Sequence, residues 1–282
     1  MSKKIKGNLW LLLLLTAVSV SAVGFAASGI VRRSPAAAAK LDIQQNQPNA
    51  SRSRGYLNRS RLAPRLVRNL TALGNRLEKP GKERVTITGE LRSSSDLQVR
   101  ELTATLEFPD KLRLGIQNDH QNRLITFDKQ EIKEQTAPDE LDLIESLTYD
   151  SAEHFFNAQM QGNAMRFLGS RFRTDDGSTP AYSGPYYDIY KIADRIDAAG
   201  EERAAKLYYF NSETLLLERV IYVINRNGAE INIETKLSDW RDEDGQKMAH
   251  RIERLENDKS VFVLTIRSAQ FGRRADDGIF RQ

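Results

Sequence analysis

The sequence predicts an α+β protein, one large curved antiparallel sheet with helices on its concave side. Three observations carry that prediction. Apolar and polar residues alternate with period two along most of the chain beyond residue 84. The later runs are joined by short turn-forming pairs, Asn211-Ser212, Asn227-Gly228, Asp244-Gly245 and Asn257-Asp258, which favour sequential hairpins over crossovers. A stretch of helical character from Pro138 to about Phe172 interrupts the alternation once. With 282 residues, 40% of them apolar and 28% charged, a sizeable core is affordable.

In chain order, Lys3, Lys4 and Lys6 precede an uncharged run from Gly7 to Val31, the pattern of an export signal. Residues 1–27 are read as a signal peptide, cleaved near Ala22 or Ala26, or as a retained N-terminal membrane anchor, since the run is also long enough to span a bilayer. Either reading puts the remainder outside the cytoplasm. Residues 28–60 are rich in Ala, Gln, Asn, Ser, Arg and Pro without apolar period and are expected to form a disordered basic linker. The domain is expected over 61–282.

Charge divides unevenly. Residues 32–84 hold 13 Lys/Arg against 3 Asp/Glu, a balance of +10, whereas 85–282 hold 26 against 35, a balance of −9. The net charge of +4 therefore reflects a basic tether on an acidic domain. Beside an export signal, such a tether suits anionic lipid headgroups or plain solvation. Nucleic acid would call for aromatic residues among the cations, and the tether offers only Tyr56.

Leu62, Leu66, Leu70, Leu73 and Leu77 recur at helical steps before Pro80-Gly81, giving a first amphipathic helix. Val85, Ile87 and Leu91, then Leu102 to Phe108, then Leu112, Leu114 and Ile116, alternate with polar neighbours as half-buried strands, and a fourth run spans about Leu124 to Ile132. In the helical stretch, Leu141, Ile144 and Leu147 form one stripe, and Ala164, Met165, Leu168 and Phe172 another. Asp150 with Glu153 resembles a capping box between them. From Tyr186 onward about six strands follow as a meander.

Chemistry is sparse. The absence of cysteine excludes disulfides, thiolate metal sites, thiol nucleophiles and an N-terminal lipid-modified cysteine. His120, His154 and His250 have no metal-ligand spacing, and no nucleophile elbow, P-loop or dinucleotide fingerprint is present. Asp242, Asp244 and Gly245 match part of a calcium loop, but its first and twelfth positions would be Trp240 and Arg251, so the segment reads as an Asp-Gly hairpin turn. No enzyme and no cofactor are expected. What stands out is apolar surplus: Leu215 to Leu217, Val220 to Ile224 and Val261 to Leu264 offer apolar side chains to both faces. This fits a sheet buried on both sides or one curled around an apolar cavity.

The run AKLYYFNSETLLLERVIY, then ETKLSDWRDEDGQKMAHRIERLENDKSVFVLTIRSAQF and a closing DDGIF, resembles the C-terminal half of LolA-type periplasmic lipoprotein carriers and lipoprotein-sorting proteins. The resemblance spans about residues 61–282, with its specific matches within 204–280. It implies a half-open β-barrel of about eleven strands, capped by helices, that shields acyl chains of a lipoprotein or lipid between membranes. An inner-membrane release complex and an outer-membrane acceptor are its implied partners, with the basic segment touching the membrane surface and nucleic acid having no part. The alternative on the same fold is a membrane-tethered sensor or interaction module. Met248-Ala249 stands where many relatives carry proline, and Arg100, Arg113 and Arg123 are candidates for the arginine that closes the lid. The cavity lining is expected from Leu106, Phe108, Leu114, Ile116, Phe127, Phe155, Phe156, Met165, Leu168, Tyr190, Tyr208, Phe210, Tyr222, Phe262 and Leu264. Helices near Phe155, Phe156, Met165 and Leu168 would plug the barrel when cargo leaves.

Overall fold

The computed structural model describes residues 62–74, 77–78, 81–94, 98–108, 111–117, 122–128, 131–132, 136–160, 164–172, 184–193, 205–274 and 278–280, all within one unit, 52–282. The expected signal or anchor (1–27) and linker (28–60) lie outside the described residues, as do His120 and Tyr56. After helix α1 (Pro64–Ala72) come strands β1 (Arg84–Ser93), β2 (Val99–Glu107), β3 (Lys111–Gln117), β4 (Asn122–Asp128) and the two-residue β5 (Glu131–Ile132). Helices α2 (Pro138–Thr148) and α3 (Ala152–Met160) follow. Strands β6 (Ala164–Phe172), β7 (Tyr186–Ala193), β8 (Lys206–Asn211), β9 (Leu217–Arg226), β10 (Ala229–Glu243), β11 (Gln246–Glu256) and β12 (Lys259–Gly272) complete the order. Among the described residues no helix is long and apolar enough to cross a membrane.

The strands form one sheet in the order β5-β4-β3-β2-β1-β12-β11-β10-β9-β8-β7-β6, every pairing antiparallel. Its two ends, β5 and β6, do not meet, so the sheet is open and curved rather than closed. Register shifts at Thr88/Gly89, Phe167/Gly169, Tyr209/Phe210 and Arg254/Leu255 mark bulges, which sharpen local bending. The meander reading holds because its turns have the required backbone. Asn227-Gly228, Asp244-Gly245 and Asn257-Asp258 all sit at positive φ, matching two-residue turns to the strand twist. The Asp244-Gly245 segment is such a turn, with Asp242 Oδ1 accepting the Gly245 N–H at 2.8 Å.

Alternation sends one side chain set under the helices. Leu66, Leu70 and Leu73 of the α1 segment and Phe155 and Phe156 of α3 pack on β7–β10, whereas Leu143, Ile144 and Leu147 of α2 pack on β1–β4, β11 and β12. Helix α1 is shorter than its heptad-like leucines suggest: Gly74, at φ 85°, ends it, and a Cβ there would lie 2.2 Å from the Gly245 carbonyl. The end of α1 is thereby pressed against the β10–β11 turn, where the Lys247 N–H reaches the Leu73 carbonyl at 3.3 Å. Near the other end of the sheet core, Phe280 is buried over Arg84 and Lys111, which flank the buried Glu107.

Two sequence expectations are corrected. The stripe Ala164, Met165, Leu168 and Phe172 is strand β6, because Phe167 and Phe172 pair with Tyr190 and Tyr186 of β7. The bulge at Gly169, with φ 108°, shifts the alternation by one and so imitates a helical spacing. The cap of α3 is Ser151, whose Oγ accepts the His154 N–H at 3.1 Å, while Asp150 turns inward to other partners.

Candidate functional site

The helix-covered face of the sheet divides into two apolar clusters. Of the residues expected to line a cavity, Leu106, Leu114, Ile116, Phe127, Phe262 and Leu264 are buried together beneath α2, with Phe108 half-buried at their margin. Phe155, Phe156, Tyr190, Tyr208, Phe210 and Tyr222 are buried together with α1 and α3, with Met165 half-buried against them. Leu168 is not among either set. It packs with Tyr187, Ile189 and Tyr209 in a third cluster, because as the strand neighbour of Phe167 it faces the opposite side of the sheet.

Among the described residues, the space between α3 and strands β7 and β8, where a hollow is expected, is occupied by the protein's own side chains. Phe155 and Phe156 are fully buried, and the Phe155 ring lies 4.8 Å from Phe210, 5.2 Å from Tyr208 and 5.4 Å from Tyr190. Phe155 and Phe156 belong to helix α3, whereas Met165 and Leu168, expected on a helix as well, belong to strand β6. Clefts elsewhere among the described residues include one of about 600 Å³ bounded by Phe172, Tyr186, Asn211 and Glu213, and one of about 230 Å³ bounded by Glu101, Gln117 and Leu124. Neither is lined by a helical residue.

A buried polar latch lies at the corner between α2 and α3. Lys206 of β8 donates to Asp150 Oδ1 at 2.7 Å and to Glu145 Oε1 at 2.6 Å. Asp150 Oδ2 also accepts from Thr235 at 2.6 Å and from Tyr222 at 3.3 Å. Arg254 of β11 donates to the Tyr222 hydroxyl and to Asp142 Oδ1, each at 2.9 Å. The Lys206 ammonium also lies 4.3 Å from the centre of the Tyr222 ring, a cation–π contact. Burial alone would drive the proton off Lys206, but Asp150 and Glu145 outweigh it and hold its pKa well above the ordinary lysine value. Burial, and then the Asp150 charge, raise the Tyr222 hydroxyl, so it stays a proton donor. For Asp142, burial is the largest influence and raises its pKa, against the pull of Arg254.

Such a network costs desolvation and is repaid only when its hydrogen bonds are complete. Its effect is positional, tying one helical corner to four strands through Lys206, Tyr222, Thr235 and Arg254. The far end of α2 is tied too. Arg100 reaches Asp139 Oδ2 through both terminal nitrogens at 3.3 Å, and Arg123 Nε lies 3.0 Å from Glu140 Oε1. Glu140 itself accepts the Ala137 N–H at 2.8 Å, half of a capping box. Two of the three lid-arginine candidates thus meet α2, while Arg113 stays half-buried in β3.

The latch went unread in the sequence although a signal existed. Arg254 is in phase with His250 and Ile252, Lys206 with Tyr208 and Phe210, and Thr235 with Ile233 and Leu237. A charge on the inward phase of a strand is a buried charge needing a partner. Of the histidines, His154 lies edge-on to Tyr149, at 5.1 Å between ring centres, and His250 is fully buried. The Nδ1 of His250 lies 2.9 Å from the Ile266 carbonyl and its Nε2 2.9 Å from Glu243. Among the described residues, no three acidic or histidine side chains gather as metal ligands would.

No family model and no curated protein matches the sequence. Solved structures similar to the chain include a LolA superfamily protein from Nitrosomonas europaea, at 8% identity and a TM-score of 0.49, over 76% of this chain and 96% of that one. A domain classed with outer membrane lipoprotein-sorting proteins from Vibrio parahaemolyticus gives 9% identity and 0.44, over 75% and 95%. A DUF1329 family protein from Desulfovibrio piger gives 9% and 0.45, over 76% and 95%. At these identities and scores the likeness transfers no site residue and no activity.

Proposed function

We propose that the chain is a periplasmic carrier that shields the acyl chains of a lipid or lipoprotein on the sheet face beneath α2, and that the helix-covered arrangement is its closed form. The observation carrying this reading is the way α2 is held. It covers an aliphatic face with three buried apolar side chains, Leu143, Ile144 and Leu147, while ion pairs of Asp139 with Arg100 and of Glu145 with Lys206 hold its two halves. Burial of three such side chains contributes roughly 5–9 kcal/mol. A long acyl chain, at about 0.8 kcal/mol per methylene, offers roughly 10 kcal/mol on the same surface. The two are close enough for one to replace the other, which is what reversible loading requires. No step of chemistry is needed, and no cofactor enters.

The chain's lack of cysteine allows a clean test. Leu143 is fully buried, so the thiol of L143C is shielded while α2 is down. Addition of a long-chain fatty acid or a triacylated lipopeptide is expected to accelerate its labelling at least tenfold, in step with uptake of a fluorescent fatty acid. Protein recovered from its own membrane fraction is expected to carry lipid in native mass spectrometry. Unchanged labelling together with no uptake and no bound lipid overturns the carrier and leaves a tethered interaction module on the same fold.

A further inference from the structure

We propose that the edge made by α1 and β6 is a docking surface for an anionic phospholipid bilayer. The proposal stands whether or not acyl chains bind beneath α2, because it rests on a different part of the molecule.

The rings come first. Phe167 and Phe172 of β6 and Tyr186 of β7 are each 43% exposed, a concentration of large apolar side chains along one sheet edge. Phe172 and Tyr186 lie 4.7 Å apart between ring centres, so they form a single exposed patch. The Arg65 guanidinium of α1 sits 4.5 Å from the centre of the Phe167 ring. Rings with cations beside them are the side chains that settle at headgroup depth, with the ring facing the acyl boundary and the charge facing phosphate.

The charges come second. Arg166 and Arg171 are exposed on β6, and among the described residues neither makes an ion pair. Exposed arginines on other strands have carboxylate partners, as Arg241 with Asp239, Arg251 with Glu253, and Arg267 with Glu90 and Glu101. Neither α1 nor β6 contains an acidic residue. Asp188, the carboxylate between them, is buried and taken up by Ser170 at 2.5 Å and Arg65 at 3.4 Å. This positive edge belongs to a region, 85–282, whose overall balance is −9. An anionic surface would be drawn to this edge and repelled by the rest, which orients the molecule as well as attracting it.

Covalent continuity supplies the third observation. Residues 32–63, with seven basic residues and one acidic, run directly into α1. Tether and α1 are therefore continuous in sequence and of one charge sign, so attraction of either to a bilayer reinforces the other.

The test uses the full chain with Trp10 and Trp240 replaced by phenylalanine, so that a single reporter can be set at F167W, F172W or V223W. Val223 of β9 is equally exposed, at 43%, and lies outside the edge. On phosphatidylglycerol-rich vesicles with brominated acyl chains, the F167W and F172W reporters are expected to shift to the blue and to be quenched. The V223W reporter is expected to stay unquenched, and pure phosphatidylcholine vesicles are expected to leave all three unchanged. R166Q and R171Q, which leave the rings intact, are expected to weaken quenching about fivefold per residue. Vesicle binding with F167W and F172W unquenched would assign attachment to the N-terminal residues alone and overturn the proposal. Equal quenching of V223W would overturn it as well.

Discussion

The two halves of the helix-covered face are built from different materials. Beneath α2 the buried cluster is mostly Val, Ile and Leu, with Phe127 and Phe262 as its buried rings. Beneath α1 and α3 aliphatic residues surround an aromatic centre, in which Phe155 meets Phe156, Tyr190, Tyr208 and Phe210 ring to ring. Aromatic rings meet in particular geometries, and a ring removed leaves a hole of a particular shape. Aliphatic surface is less particular, and the methylenes of an acyl chain can stand in for leucine. Under the proposed carrier reading, α2 would be the exchangeable cover and α3 the fixed wedge, with the Asp150 corner as the joint between them.

A large effect should come from that joint. K206M takes from buried Asp150 its nearest cation, leaving Arg254 3.8 Å away, and is expected to lower stability by about 3 kcal/mol in chemical denaturation. Because Lys206 is held above its ordinary value of 10.5, the unfolded chain releases this proton before the folded one does. The contribution of Lys206 is therefore complete below about pH 10.5 and is lost as pH climbs through the folded value, so the wild-type melting temperature should fall there. A K206M melting curve with the same alkaline slope would assign that fall to other groups.

Truncating one side chain in each half sharpens the contrast further. F155A is expected to cost about 3–5 kcal/mol and L143A about 2–3 kcal/mol. The informative readout is lipid uptake at matched fractions folded, which L143A should speed and F155A should not. Equal behaviour of the two variants would erase the distinction between cover and wedge. The smallest effect belongs to the outer clamp. R100Q and R123Q remove partly exposed ion pairs and should each cost about 0.2–1 kcal/mol, read as faster hydrogen exchange confined to α2 amides.

Most of the sheet was legible because alternation and turn chemistry agree along the chain. Strands β1–β4 and β7–β12 follow from residues such as Val85, Ile87, Leu102, Leu114, Ile252 and Leu264, whose phase alone gives their face. Strand β6 was not legible, since one bulge at Gly169 rearranged its apolar residues into a helical spacing. The site was half legible. Phe155 and Tyr208 are apolar wherever they fold, but nothing in the order of residues says whether a concave face is filled by helices or left open. The latch depends on partners 56 to 112 residues apart, Lys206 with Asp150 and Arg254 with Asp142, and such pairings belong to the fold rather than to any local pattern.

Strand β12 sits between β1 and β11 and is the one element by which the N-terminal strands join the rest of the sheet. Thr88 lies beside Ser268, 180 residues away, so the two wings cannot unite until the chain has been synthesised through β12. Closing a loop of that length is slow. A chain threaded through a translocation pore from its N-terminus would remain unfolded and pliable for the whole passage, and its last strand would act as the fastener once it reached the far side.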